Sequence, residues 1–149
     1  MRVISGQLKG KSINFLKSKK TRPLKDSVKE NIFNIINHSN LINIEIKKSN
    51  VLDLYSGIGS FGIECISRGA KEITFVEKDK DVVKILNDNL TNLDIKDKAN
   101  VINDKIQNFL TKRINKKFEI IFLDPPFAEN SHTKDLDFIY EKKIFKPNH

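Results

Sequence analysis

Two short stretches hold residue types whose spacing can do chemistry. Residues 124–127 read Asp-Pro-Pro-Phe and follow an apolar run, Phe118 to Leu123. Two consecutive prolines cannot continue a strand ladder. They predict a rigid, extended segment just past a strand end, where open α/β sheets bind their ligands. A carboxylate beside a proline carbonyl offers two adjacent hydrogen-bond acceptors. That pair suits an exocyclic amine on a nucleobase, whose lone pair is delocalised into the ring. Holding both of its N–H groups helps the nitrogen become tetrahedral as it attacks an electrophile. In this reading Asp124 and Pro125 supply the acceptors and Pro126 stiffens the segment. Phe127 supplies a face on which a flipped base stacks.

The second stretch, residues 51–62, reads Val-Leu-Asp-Leu-Tyr-Ser-Gly-Ile-Gly-Ser-Phe-Gly. A buried strand runs into a glycine-rich turn that opens a helix, and Gly57 and Gly59 let backbone amides approach a ligand closely. Glu77 closes the next strand, where a carboxylate can accept both hydroxyls of a ribose. Gly57, Gly59 and Gly62 match the dinucleotide fingerprint, which alone is weak. Asp53 argues against a pyrophosphate at this turn. S-adenosylmethionine carries an ammonium and a sulfonium instead, and an acid near the loop suits both. A nicotinamide dinucleotide and an empty β-turn-α loop stay as alternatives. Asp104 follows the third strand of the pattern. It reads either as an acceptor for an adenine amino group or as a helix N-cap.

The charge is unevenly placed. The chain carries a formal net charge of +8 from 27 Lys+Arg and 19 Asp+Glu. Residues 1–50 hold 11 basic and 3 acidic side chains, whereas residues 51–149 hold 16 of each. A neutral body with a basic front end predicts docking on a polyanion, with Lys19, Lys20 and Arg22 as substrate-binding candidates. The other explanation is lysine-rich surface filler. The single cysteine, Cys65, leaves no internal disulfide, and His38, His132 and His149 are too scattered for a metal cluster. No run of about 18 apolar residues exists to span a membrane. The N-terminus has no signal-peptide pattern, so the cytoplasm is the expected compartment.

The elements that position these residues follow from periodicity. Val3-Ile4 and Ile13-Asn14-Phe15 flank a Gly6–Gly10 turn and predict a hairpin. Lys17 to Arg22 is a basic loop closed by Pro23. Ser27 and Glu30 have capping-box spacing for a helix whose apolar stripe is Val28, Ile32, Ile35 and Ile36. Residues 37–50 predict a loop anchored by Leu41, Ile42 and Ile44. Strands at Val51–Tyr55, Ile73–Glu77, Ala99–Ile102 and Phe118–Leu123 then alternate with helices at Phe61–Arg68, Val82–Leu93, Ile106–Ile114 and 135–145. This βαβαβαβα order predicts an α/β fold, a doubly wound parallel sheet with helices on both faces.

Taken together these residues resemble the RsmD-type 16S rRNA (guanine-N2)-methyltransferase family. The N-terminal Arg2-Val3-Ile4-Ser5-Gly6 and Lys9-Gly10-Lys11 are similar to its hairpin. Thr21-Arg22-Pro23 with Asp26, Val28, Lys29, Glu30 and Phe33-Asn34 is similar to its linker and first helix. The glycine loop with Tyr55, Ser67-Arg68-Gly69-Ala70, and Phe75-Val76-Glu77-Lys78-Asp79 match further. Asp-Pro-Pro-Phe resembles its amino-methyltransferase motif. Ile58 departs from the family's usual small hydroxyl residue.

The resemblance implies a Rossmann-like class I fold that binds S-adenosylmethionine through Asp53, Tyr55, Gly57, Gly59, Glu77, Lys78 and Asp104. It implies 16S rRNA, or the assembling small ribosomal subunit, as partner, and methylation of a guanine N2 amine. The expected organisation is a basic hairpin and linker over 1–25 and a methyltransferase domain over 26–149. That domain is expected to lack the last strands of the sheet, leaving the fourth strand as an exposed apolar edge suited to self-association. An adenine-N6 methyltransferase and a non-catalytic RNA-binding remnant remain the competing readings.

Overall fold

The computed structural model describes residues 1–15, 24–39, 44–112, 114–126 and 132–147. Helix α1 (Asp26–His38) precedes strand β1 (Asn50–Leu54). Then come α2 (Ser60–Ser67), β2 (Glu72–Glu77), α3 (Lys80–Asn92) and β3 (Ala99–Asn103). Helix α4 (Ile106–Thr111), β4 (Ile120–Leu123) and α5 (His132–Glu141) complete the alternation. The four strands form one parallel sheet in the order β3-β2-β1-β4. Two crossovers therefore run outward from β1, and the last returns to its other side. The strand order reverses between β1 and β4, which is where such sheets open a ligand crevice at their carboxyl ends.

Alternation along the strands loads both faces. Val51, Ile73 and Phe75 pack with α1, α2 and α3, whereas Leu52, Leu54 and Val76 pack with α4 and α5. Each such side chain, fully buried, contributes roughly 1.5–3 kcal/mol. A stack of rings, Phe33 on Phe61 at 5.2 Å and Phe61 on Phe122 at 3.9 Å, ties α1 and α2 to β4. The third glycine of the loop motif serves this packing. A Cβ at Gly62 would lie 2.2 Å from the Phe75 ring, so α2 can sit this close to β2 only with glycine there.

Several local expectations change. Val3 and Ile13 are core residues, and the hairpin is held by Val3 N–H to Lys11 O and Ile13 N–H to Met1 O, but it pairs only at an Arg2–Ser12 bridge. The expected stripe on α1 is displaced. Val28 is 42% and Ile35 56% exposed, while Lys29 and Phe33 are buried and Ile32 and Ile36 flank them. Lys29 is drawn inside by Glu64 on α2, which rotates the helix away from its most apolar face. Lys25 caps α1 without a side-chain bond, so the Ser27–Glu30 capping box is not used. In the loop before β1, Ile46 and Ser49 are buried, Ile44 is half-buried, and Leu41 and Ile42 lie outside the described residues.

Helix α4 ends at Thr111, where Lys142 Nζ donates to the carbonyls of Thr111 and Lys112. Strand β4 lies at the sheet edge, as expected. Part of that edge is taken by the chain itself: Phe118 N–H donates to Ile144 O and Lys146 N–H to Phe118 O, making a parallel bridge between Phe118 and Phe145.

Candidate active site

Strand register sets the site. Leu54 pairs with Leu123 and with Val76, and Glu77 pairs with Asn103. The next residues along the carboxyl edge therefore form a row: Asp124, Tyr55, Glu77 and Asn103. Adjacent strands lie about 4.8 Å apart, so Asp124 and Glu77 stand roughly 10 Å apart across the switch point.

The loop after β1 is tightly shaped. Tyr55 (φ 61°), Gly57 (φ 54°) and Gly59 (φ 85°) are all left-handed, and Gly59 is the N-cap of α2. A side chain at Gly59 would meet Leu86 at 2.4 Å, whereas one at Gly57 would meet nothing within 4 Å. Gly57 thus faces open space. Beside it the Ser56 hydroxyl is buried and has no hydrogen-bond partner among the described residues. An open glycine cradle with an orphaned buried hydroxyl fits a polar ligand in this loop. The N–H of Gly57 donates to Glu77 Oε2 at 3.0 Å, and that of Asp79 donates to Oε1 at 2.9 Å. Glu77 therefore braces the loop and keeps lone pairs for further donors, since a carboxylate has about four acceptor positions. Lys78 is exposed, and its carbonyl accepts from Asn103 Nδ2 at 3.1 Å.

Asp53 lies beneath the loop. It is 1% exposed, and its Oδ2 accepts from Gly62 N–H at 3.0 Å, pinning α2 to β1. Burial pushes its pKa from 3.8 to about 8. The Gly62 N–H opposes the rise, and the charges of Asp124 and Glu77 add to it. An acid whose pKa rises on folding holds its proton more tightly in the folded chain, so stability falls as pH rises between the two values. Asparagine at this position can still accept from Gly62 without ever ionising. Between about pH 6 and 8 the chain is expected to lose about 2 kcal/mol that Asp53→Asn retains. Urea unfolding of both proteins across that range checks this, and parallel pH profiles would refute it.

Asp124 is exposed at the end of β4, with its pKa raised by desolvation, and Pro125 is half-buried beside it. Pro126 is exposed. Asp104 is bound to its own neighbours. Lys112 Nζ donates to Oδ2 at 2.6 Å, and Asn108 Nδ2 and Lys105 N–H donate to Oδ1. The Lys112 bond foremost, with those of Asn108 and Lys105, holds its pKa at about 2. The N-cap of α4 is Lys105, so the capping alternative for Asp104 does not hold. Phe127, Lys19, Lys20 and Arg22 lie outside the described residues.

Other contributors gave no motif signal. Asn89, 1% exposed on α3, donates from Nδ2 to Asn14 O at 3.0 Å and to Ile58 O at 3.3 Å. Its Oδ1 accepts from Asn14 N–H at 2.8 Å. One buried amide thus joins the glycine loop to the segment leading into the basic residues 17–22. Gln107 and Asp135 reach the Tyr55 hydroxyl from α4 and α5. A lone buried amide or acid on a helix looks like surface in one sequence.

The family model described as Conserved hypothetical protein 95 matches residues 1–149. The chain belongs to this family. Its relatives carry the resemblance noted in the sequence. The Ribosomal RNA small subunit methyltransferase D of Haemophilus influenzae is 37% identical over 150 residues, covering 99% of this chain and 75% of that protein. A protein of the same name from Buchnera aphidicola of Baizongia pistaciae is 39% identical over 148 residues, covering 99% of this chain and 72% of its own length. The solved "Putative methyltransferase yhhF" of Escherichia coli superposes with a TM-score of 0.81 at 28% identity, over 95% of this chain and 72% of that one. The doubly wound sheet described above is thus the class I methyltransferase fold. Among the described residues no helix is long and apolar enough to cross a membrane.

Proposed function

We propose that this protein transfers a methyl group from S-adenosylmethionine to the exocyclic N2 amine of a guanine in small-subunit rRNA. The observation that carries the reading is the row along the carboxyl edge. It sets the acceptor pair of Asp124 and Pro125 beside the glycine loop and Glu77. The chain is matched to its family from end to end.

When bound, S-adenosylmethionine supplies an electrophilic methyl group on a sulfonium. The residues of the chain bind and orient. Gly57 leaves room at the loop, Gly59 lets the loop pack against Leu86 as α2 begins, the Ser56 hydroxyl offers a hydrogen bond, and Glu77 accepts from the ribose. Asp53 holds α2 in place beneath, Tyr55 and Lys78 border the loop, and Asp104 stands at the adenine end. Asp124 and the Pro125 carbonyl accept the two N–H groups of the target amine, and Asp124 can keep the proton that the amine loses. Pro126 holds the segment extended and Phe127 stacks on the base. The work is positioning and electrostatics rather than covalent catalysis. The basic hairpin and linker over 1–25, with Lys19, Lys20 and Arg22, docks the RNA, and the 26–149 domain carries the chemistry. Asn89 supports this placement, since it fixes the exit of the hairpin to the cofactor loop. The compartment that fits is the cytoplasm.

The test begins with thermal unfolding with and without S-adenosylhomocysteine. At 100 times its Kd the ligand is expected to add about 2.7 kcal/mol. Labelled methyl transfer to small-subunit RNA lacking the modification follows, with nucleoside mass spectrometry of the product. N2-methylguanosine is the expected product, and N6-methyladenosine would move the reading to adenine. RNA binding with no transfer and no ligand shift would make the chain a non-catalytic binder.

A further inference from the structure

Two consecutive residues at the end of β1 grip both ends of the segment that carries Asp124. Leu54 pairs in register with Leu123, the residue just before Asp124. Tyr55 donates from its hydroxyl to Asp135 Oδ2 at 2.6 Å, across 80 positions of sequence. Asp135 is fully buried, near the start of α5. Its other oxygen accepts from Gln107 Nε2 on α4 at 3.1 Å, and the same Nε2 lies 3.3 Å from the Tyr55 hydroxyl. A carboxylate out of water needs such donors on both oxygens, so neither can be lost cheaply. Tyr55 is also held at a φ of 61°, a backbone state that a bulky residue adopts only when its surroundings enforce it. The side-chain bond to α5 and the strained turn of the glycine loop thus belong to one residue.

We propose that Tyr55, Asp135 and Gln107 form a clamp that locks the loop holding the cofactor to the segment holding the target amine, so that the two are positioned as a unit. The proposal rests on the methyltransferase reading above. In it Asp135 and Gln107 are positioning residues that act through Tyr55 and Asp124. The clamp adds little to the affinity of either ligand alone. It sets the alignment between them, on which transfer depends steeply, since a misplacement of about 1 Å can cost about a hundredfold in rate.

Tyr55→Phe keeps the ring and the backbone and removes only the hydroxyl, with its bonds to Asp135 and Gln107. It is expected to lower kcat about ten- to a hundredfold, with the Kd for S-adenosylhomocysteine and the KM for RNA changed by no more than about twofold. Asp135→Ala is expected to do the same. Asp135→Asn is expected to restore most of the rate, because its side-chain oxygen still accepts from Tyr55 and the Gln107 amide can turn to accept from its NH2. A structural role alone would move stability and both affinities and would show no rescue by asparagine. Amide hydrogen exchange over residues 132–141 gives a readout independent of the RNA. S-adenosylhomocysteine is expected to slow exchange there in the wild-type chain and not in Tyr55→Phe. A wild-type kcat in Tyr55→Phe, equal losses in Asp135→Asn and Asp135→Ala, or exchange in α5 that ignores the bound ligand would each overturn the clamp. A wild-type chain that binds S-adenosylhomocysteine, protects α5 and yet methylates no small-subunit RNA would instead overturn the substrate reading and leave the clamp standing.

Discussion

Asp124→Ala is expected to slow methyl transfer to small-subunit rRNA by about 10²–10³-fold, the usual cost of removing one preorganised polar partner of a transition state. Strand pairing of Leu123 with Leu54 delivers Asp124 to the switch point of the sheet, and two prolines prevent the chain from collapsing back onto the strand edge. The residue is exposed, so its replacement leaves no buried group unpaired and stability is expected to hold. Affinity for S-adenosylhomocysteine is also expected to stay, because Asp124 lies on β4's end rather than in the glycine loop.

Charge and hydrogen bonding at Asp124 can be separated. Asp124→Asn keeps an acceptor oxygen and loses the ability to ionise. Desolvation raises the pKa of Asp124 above the ordinary carboxylate value of 3.8, and the active form is the ionised one. Transfer by the wild-type chain is therefore expected to fall as pH drops through that raised pKa, and Asp124→Asn is expected to lack this acid limb. Single-turnover transfer across pH reads both. A rate for Asp124→Ala within about threefold of wild type would remove this carboxylate from the reaction.

The parts of this site that were legible in the sequence are those written in contiguous residues. The Asp-Pro-Pro segment and the loop after β1 each join a strand to its following element, so spacing alone placed them at strand ends. Glu77 was legible because strand β2 ends on it. The supporting residues were not legible, because their partners lie far along the chain. Ile4 bonds to Glu64 across 60 positions, Asn14 to Asn89 across 75 and Tyr55 to Asp135 across 80. Periodicity sees apolar spacing and not a polar bond of that range. The same blindness displaced the inward face of α1. Val28 and Ile35 carry the better apolar pattern, but Lys29 reaches the buried Glu64 carboxylate and Phe33 stacks on Phe61, so the face that carries them turns inward. Asp53 shows a subtler case. The acid was legible in the glycine motif, while its bond to Gly62 N–H beneath the loop depends on how closely α2 sits on the sheet.

Glu64→Ala is expected to cost about 3–5 kcal/mol of stability, the scale for breaking a buried ion pair from one side. Glu64 is fully buried on α2 and satisfies four partners. Its oxygens accept from the N–H groups of Ile4 at 2.8 Å and Ser5 at 2.9 Å, and from Arg68 Nε at 3.0 Å. Lys29 Nζ stands 3.7 Å away, itself fully buried. Burial lowers the pKa of Lys29, and the Glu64 and Asp26 charges hold it up against that loss. Alanine at position 64 would leave two backbone donors without their acceptor and the buried Lys29 ammonium without its buried counter-charge, with Asp26, Arg2 O and Ser60 Oγ still near it. It would also loosen the N-terminal hairpin, which would keep its bonds to Ser67 but lose its two charge-assisted bonds to α2. The double variant Lys29→Met with Glu64→Gln tests the account. Glutamine keeps an acceptor for the hairpin, and methionine fills the space without charge, so most of the loss is expected to return. Urea unfolding reads the energies through midpoint and slope. A loss below about 1 kcal/mol for Glu64→Ala would mean that water reaches the pair, as it does in exposed ion pairs. The functional consequence follows from the same contacts. The hairpin delivers the chain into the basic residues 17–22, so a hairpin loosened from α2 is expected to weaken RNA binding while S-adenosylhomocysteine binding persists in whatever fraction of the protein stays folded.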